Sequence, residues 1–112
     1  MTKVITTEEL KKKIDGKEIF YLIDARGENG FKTMHIPGAK NVPDGPDFLE
    51  RFENKIVAAK SAEIIVYCGS ATCMASVHAA EVLEKAGHTN VLHHKDGVAG
   101  WQNAGYEFET KS

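Results

Sequence analysis

The strongest constraint on this chain is an alternation in which short runs of branched and aromatic apolar residues are each followed by a segment with helical spacing. "IFYLIDAR" (residues 19–26) has an apolar run over 19–23 that ends in charge, the pattern of a strand buried on both faces. "EIIVYC" (63–68) reads as a second, central strand and "TNVLHH" (89–94) as a third, shorter one. "TTEEL" opens a helix with capping-box spacing from Thr6 to Glu9, continues through Leu10 and Ile14, and stops at Gly16. "DFLERFENKI" spaces Phe48, Leu49, Phe52 and Ile56 as a helix from Asp47. "ASVHAAEVLEKAG" (75–87) puts Ala75, Ala79, Val82, Leu83 and Ala86 on one face and ends at Gly87. "GVAGWQNAG" (97–105) is a last short helix carrying Trp101, and "AKNVP", after the turn at Pro37 and Gly38, is a brief strand. Strands alternating with helices predict an α/β fold: a small central parallel sheet flanked by helices on both faces.

At 112 residues and 42% hydrophobic content the chain has room for one domain, 1–112. A formal net charge of -2, with Lys and Glu interspersed, offers no field for a polyanion, so nucleic acid is not an expected partner. No stretch approaches the roughly 20 apolar residues of a membrane span, and the polar start "MTKVITTEELKKKID" has no signal core. The expectation is a cytoplasmic protein without a membrane partner.

Two cysteines, Cys68 and Cys73, are too few for a disulfide scaffold. A free cysteine is by default a small buried apolar residue. Position argues otherwise for Cys68, which ends the central strand. Ligands of open parallel sheets bind outside the carboxyl ends of the strands. Gly69, Ser70, Ala71 and Thr72 follow, with side chains too small to block the backbone. A tight loop leading into a helix gathers unpaired N–H groups, and these together with the helix dipole lower a thiol pKa from about 8.5 to about 3.5–7.5. An anionic Cys68 sulfur at neutral pH is therefore expected.

These segments together resemble a single-domain rhodanese. The resemblance rests on "LIDAR" (22–26), "HIPGA" (35–39), "IIVYC" with its six-residue loop and alanine-rich helix, and "KDGVAGWQNAG" (95–105), in family order. It implies a sulfurtransferase in which Cys68 takes sulfane sulfur from a donor, holds it as a persulfide and passes it to a thiol or to cyanide. The backbone of Gly69, Ser70, Ala71, Thr72, Cys73 and Met74 would bind the outer sulfur. No cofactor is implied.

Four positions depart from the family pattern. Rhodaneses often carry Arg or Lys at the first and fifth places after the nucleophile, and here those are Gly69 and Cys73. A dianion such as thiosulfate then loses about 1–3 kcal/mol of charge-assisted bonding per missing base, which favours polysulfide or a persulfide as donor. Gly30 stands where the family has an acidic residue, with Glu28 nearby, and Met34 stands where Gly is usual before His35.

Cys73 is either inert or a resolving residue that attacks the Cys68 persulfide, expels sulfide and leaves a disulfide for a thiol-reductant protein to reduce. Zinc is not expected, because C-x4-C is a long spacing and the adjacent His93 and His94 of a strand point to opposite faces. A cysteine phosphatase or arsenate reductase needs Arg at the sixth place after the thiol, which is Met74. Asp24 and Arg26 are expected to brace the loop by hydrogen bonds, and Lys95, on the same rim, to supply positive charge. His35 is structural, His78 faces solvent, and Trp101, Tyr106 and Phe108 pack the core and tail. The competing reading is a catalytically weak rhodanese-like module that binds a partner or senses oxidants through Cys68 and Cys73.

Overall fold

The computed structural model describes residues 3–70 and 72–110. Its sheet contains β1 (Lys3–Val4), β2 (Tyr21–Asp24), β3 (Lys40–Asn41), β4 (Ile64–Tyr67) and β5 (Val91–His94), all parallel, in the spatial order β1-β5-β4-β2-β3. Tyr67 pairs with Asp24 on one side and His94 on the other, so three strands end in one line and Cys68 emerges at its centre.

All four residues of β4 are buried, as a strand covered on both faces requires. Side chains alternate: Ile64 and Val66 join Phe48, Phe52, Ala79 and Leu83, whereas Ile65 and Tyr67 join Leu10, Phe31 and Trp101. The first face is covered by α3 (Phe48–Lys55) and α4 (Ala75–Lys85), the second by α1 (Thr7–Asp15), α2 (Glu28–Thr33) and α5 (Gly97–Asn103). The capping box on α1 forms in both directions: Glu9 N donates to Thr6 Oγ1 at 3.1 Å and Thr6 N to Glu9 Oε1 at 3.0 Å. Such a cap contributes about 1 kcal/mol.

Several sequence expectations are corrected. The strand expected over 19–23 begins only at Tyr21, and Ile19 is 97% exposed. The buried face of α4 is Ser76, Ala79, Ala80 and Leu83, rotated from the expected stripe, and Ala75 and Val82 only pack partly against the core. A tertiary contact sets that rotation, because Ser76 Oγ lies 2.7 Å from His93 Nε2 of β5. The two elements that sequence pattern did not reveal are β1 and α2. The former is two residues long, and the latter carries Gly30 in its interior with only Phe31 buried.

Candidate active site

Cys68 is buried at 4% exposure and bonded to Cys73, with their α carbons 6.2 Å apart. That separation is within the range a disulfide accepts. The local turn is closed by Cys73 N donating to Ser70 O at 3.1 Å, and Ser70 Oγ and Thr72 Oγ1 lie 3.1 Å apart. Thr72 and Met74 are exposed, while Gly69, Ser70 and Cys73 are partly so. Ala71 lies outside the described residues.

The start of α5 holds the root of this loop. Val98 N donates to Cys68 O at 3.0 Å and Ala99 N to Gly69 O at 2.9 Å. A trans peptide points its C=O and N–H in opposite directions. With both carbonyls turned to α5, the N–H groups of Gly69 and Ser70 turn away from it. Among the described residues neither has an acceptor, nor do those of Thr72 and Met74. Gly97 permits this approach: it has φ +60, and a Cβ there would sit 2.4 Å from Cys68 O. Only glycine combines that conformation with no side chain.

Asp24 and Arg26 are joined at the end of β2. Arg26 Nη2 donates to Asp24 Oδ2 at 2.7 Å and to Met34 O at 2.5 Å, and Arg26 Nε meets both carboxylate oxygens. These hydrogen bonds tie β2 to the segment before His35 instead of reaching the Cys68 loop, which is where the bracing was expected. Arg26 runs alongside that loop, its Cδ 4.0 Å from where a Cβ on Gly69 would sit. Gly30 gives the guanidinium room, with a virtual Cβ 3.3 Å from Arg26 Nη1. Burial opposes the Arg26 charge, yet the hydrogen bonds and charge of Asp24 keep its pKa raised. Lys95 is exposed in the turn between β5 and α5, and no contact ties it to the loop among the described residues.

Three residues that shape this rim went unnoticed in sequence. Tyr67 OH accepts the Ile36 N–H at 3.1 Å, and burial, with Asp24 nearby, pushes its phenol pKa far up. Asn41 is buried and donates to Asp24 O at 3.1 Å and Arg26 O at 2.8 Å. Asp44 Oδ1 lies 2.6 Å from Nδ1 of the exposed His78. No periodicity marks such residues, because each partner is distant in sequence.

His93 and His94 do face opposite ways. His93 reaches Ser76 of α4, and His94 Nε2 lies 2.8 Å from Thr7 Oγ1 of α1. Burial lowers both pKa values, that of His94 to about 4. His35 is buried and stacked on Phe31 at 3.9 Å, with Nδ1 2.9 Å from Phe31 O. Trp101 is buried, with Tyr106 and Phe108 packed beside it. On the α5 side of the loop a crevice of about 580 Å³ is lined by Ser70, Thr72, Thr7, Asp96 and Asn103. A cavity of the same size between Phe31, His35 and Lys55 lies at the β3 edge and contains none of the loop residues.

A family model described as a rhodanese-like domain matches residues 6–104. The chain belongs to the rhodanese-like domain family. This rhodanese-like domain is 30% identical over 101 residues to the HTH-type transcriptional regulator Rv0324 of Mycobacterium tuberculosis, covering 90% of this chain and 42% of that protein. It is 29% identical over 97 residues to the putative sulfur carrier protein YrkF of Bacillus subtilis, covering 87% of this chain and 49% of that one. The chain thus spans less than half the length of these curated relatives. A crystal structure of thiosulfate sulfurtransferase from Pseudomonas aeruginosa matches at TM-score 0.82 and 28% identity, over 99% of this chain and 21% of the other. The rhodanese-like family is thereby of sulfurtransferase type. No helix among the described residues is long and apolar enough to cross a membrane.

Proposed function

We infer that this protein is a sulfurtransferase that carries sulfane sulfur as a persulfide on Cys68. The observation that supports this best is the root of the loop, where α5 takes the carbonyls of Cys68 and Gly69 and leaves the next N–H groups without acceptors among the described residues. Donors fixed in that way stabilise an anion without reorganising, whether thiolate or persulfide. Covalent carriage then divides one transfer into two exchanges: the donor's sulfane sulfur bonds to the Cys68 thiolate, and an acceptor thiol or cyanide later removes it.

The donor is polysulfide or a persulfide in preference to thiosulfate. The loop is uncharged, and the guanidinium beside it, Arg26, is engaged by Asp24 and Met34 O. A dianion gains little there. The Cys68–Cys73 bond has to be reduced before loading, which suits a cytoplasmic setting with a thiol-reductant protein as partner. The same bond favours a second reading, a weakly catalytic module that senses oxidants by closing this disulfide.

Intact mass of the reduced protein after separate exposure to polysulfide and thiosulfate tests the first reading. The expected result is a gain of about 32 Da, one sulfur atom, larger in yield with polysulfide and absent in Cys68→Ser. If polysulfide adds no cyanide-removable sulfur to Cys68, the transferase reading is refuted and the oxidant-sensing module remains.

A further inference from the structure

The Cys68–Cys73 bond is unequal at its two ends. Cys68 is 4% exposed, whereas Cys73 is partly exposed and sits between an exposed Thr72 and a Met74 that is 66% exposed. A thiolate opens a disulfide by approaching one sulfur from the side opposite the other, so access decides which sulfur is attacked. The stability of the departing thiolate also decides, since a lower leaving-group pKa leaves faster. Both effects select the same end. Cys73 is the more exposed of the two residues, and its own N–H is spent on Ser70 O. Cys68 is the residue followed by N–H groups of Gly69 and Ser70 that have no acceptor among the described residues, so nothing described competes for them when an anion departs beside them.

We propose that external sulfur nucleophiles open this disulfide at Cys73, and that hydrosulfide doing so converts sulfide into sulfane sulfur held on the protein. In the first step a bond forms between the hydrosulfide sulfur and Cys73 Sγ, and the Cys68–Cys73 bond breaks with its electron pair leaving on Cys68. The products are a Cys73 persulfide and a Cys68 thiolate. The sulfide sulfur is oxidised, and the disulfide, which is the oxidant, is reduced by the same two electrons. In the second step the Cys68 thiolate takes the outer sulfur from Cys73, which departs as a thiolate and accepts the proton that sulfur carried. No net oxidation accompanies this step. One sulfur is captured per disulfide, and the oxidised protein is loaded without any sulfane donor. Only the second step rests on the transferase reading above.

The test uses the oxidised full chain under anaerobic conditions. Brief exposure to 2-mercaptoethanol, acid quench, and N-ethylmaleimide capping give a tryptic peptide, residues 61–85, that holds both cysteines and whose fragment ions separate them. The expected product carries mercaptoethanol on Cys73 and maleimide on Cys68 in about tenfold excess over the reverse, because access and leaving-group stability act together. Equal labelling, or mercaptoethanol mainly on Cys68, overturns the proposal. Sodium sulfide is then added to the oxidised and to the pre-reduced protein. A gain of about 34 Da, one hydrogen sulfide, with one cyanide-removable sulfur in the oxidised sample alone, supports sulfide capture. Absence of that gain overturns it. Failure of the reduced protein to load from polysulfide is a separate result, which refutes the transferase reading while the Cys73-first opening stands.

Discussion

Replacing Gly97 by Ala tests the construction of the site, since the structure separates two costs that glycine avoids there. The first is backbone conformation: at φ +60 a side chain costs about 1–2 kcal/mol. The second is the clash. A Cβ would lie 2.4 Å from Cys68 O and 3.0 Å from both Cys68 C and Gly69 C, all backbone atoms at the root of the Cys68 loop. Moving the oxygen out to an ordinary contact takes about 1 Å, and overpacking of that kind costs about 1–3 kcal/mol. It also strains the bonds from Val98 N and Ala99 N, each worth about 0.5–1.5 kcal/mol. Gly105→Ala serves as the control, because Gly105 has φ +79 with nothing within 4 Å of a built Cβ. Urea unfolding of both variants should therefore show about 1–2 kcal/mol lost at Gly105 and about 2–4 kcal/mol more at Gly97. Persulfide yield should fall in Gly97→Ala alone, because the donor groups move with the Cys68 carbonyl. Equal destabilisation in the two variants, or unchanged sulfur loading in Gly97→Ala, would refute the claim that the approach of α5 shapes the loop.

Other consequences are open to measurement. The fold holds His94 neutral down to about pH 4, whereas an unfolded histidine takes its proton near 6.5. The unfolded state binds more protons between those values, so this contribution is full above about pH 6.5 and falls by about 3 kcal/mol as pH drops to 4. Burial lowers the pKa of His93 too, which acts in the same direction. Urea midpoints at pH 7.5 and 4.5 should differ more for the wild type than for His94→Asn, and an equal difference contradicts the assignment. Asp24→Ala leaves Arg26 without its buried partner and should cost about 3 kcal/mol in urea unfolding. Tyr67→Phe removes the acceptor of the buried Ile36 N–H and should cost about 1–3 kcal/mol, while sulfur loading falls little.

The alternation of apolar runs with helical patterns made the layered parallel fold legible, because a strand buried on both faces and a helix with one apolar face each leave a periodic trace. The position of Cys68 after Tyr67, and the small residues behind it, were equally plain. Less visible were β1 and α2, which are too short or too polar to show a period, and the rotation of α4, which His93 imposes from another strand. Ile19 was misplaced because its apolarity is the same whether it enters the sheet or stands in solvent.

Local chemistry along the chain determined which segments could be strands or helices and where a thiol would stand, since those depend on neighbours three or four residues apart. Tertiary structure alone decided how that thiol is held. The amides of Val98 and Ala99 that turn the loop, the glycine that lets them come close, and the carboxylate that occupies Arg26 come together only when α5 and β2 converge on the end of β4. Hydrogen bonding and steric exclusion act over a few ångströms in space, and sequence separation carries no record of that distance.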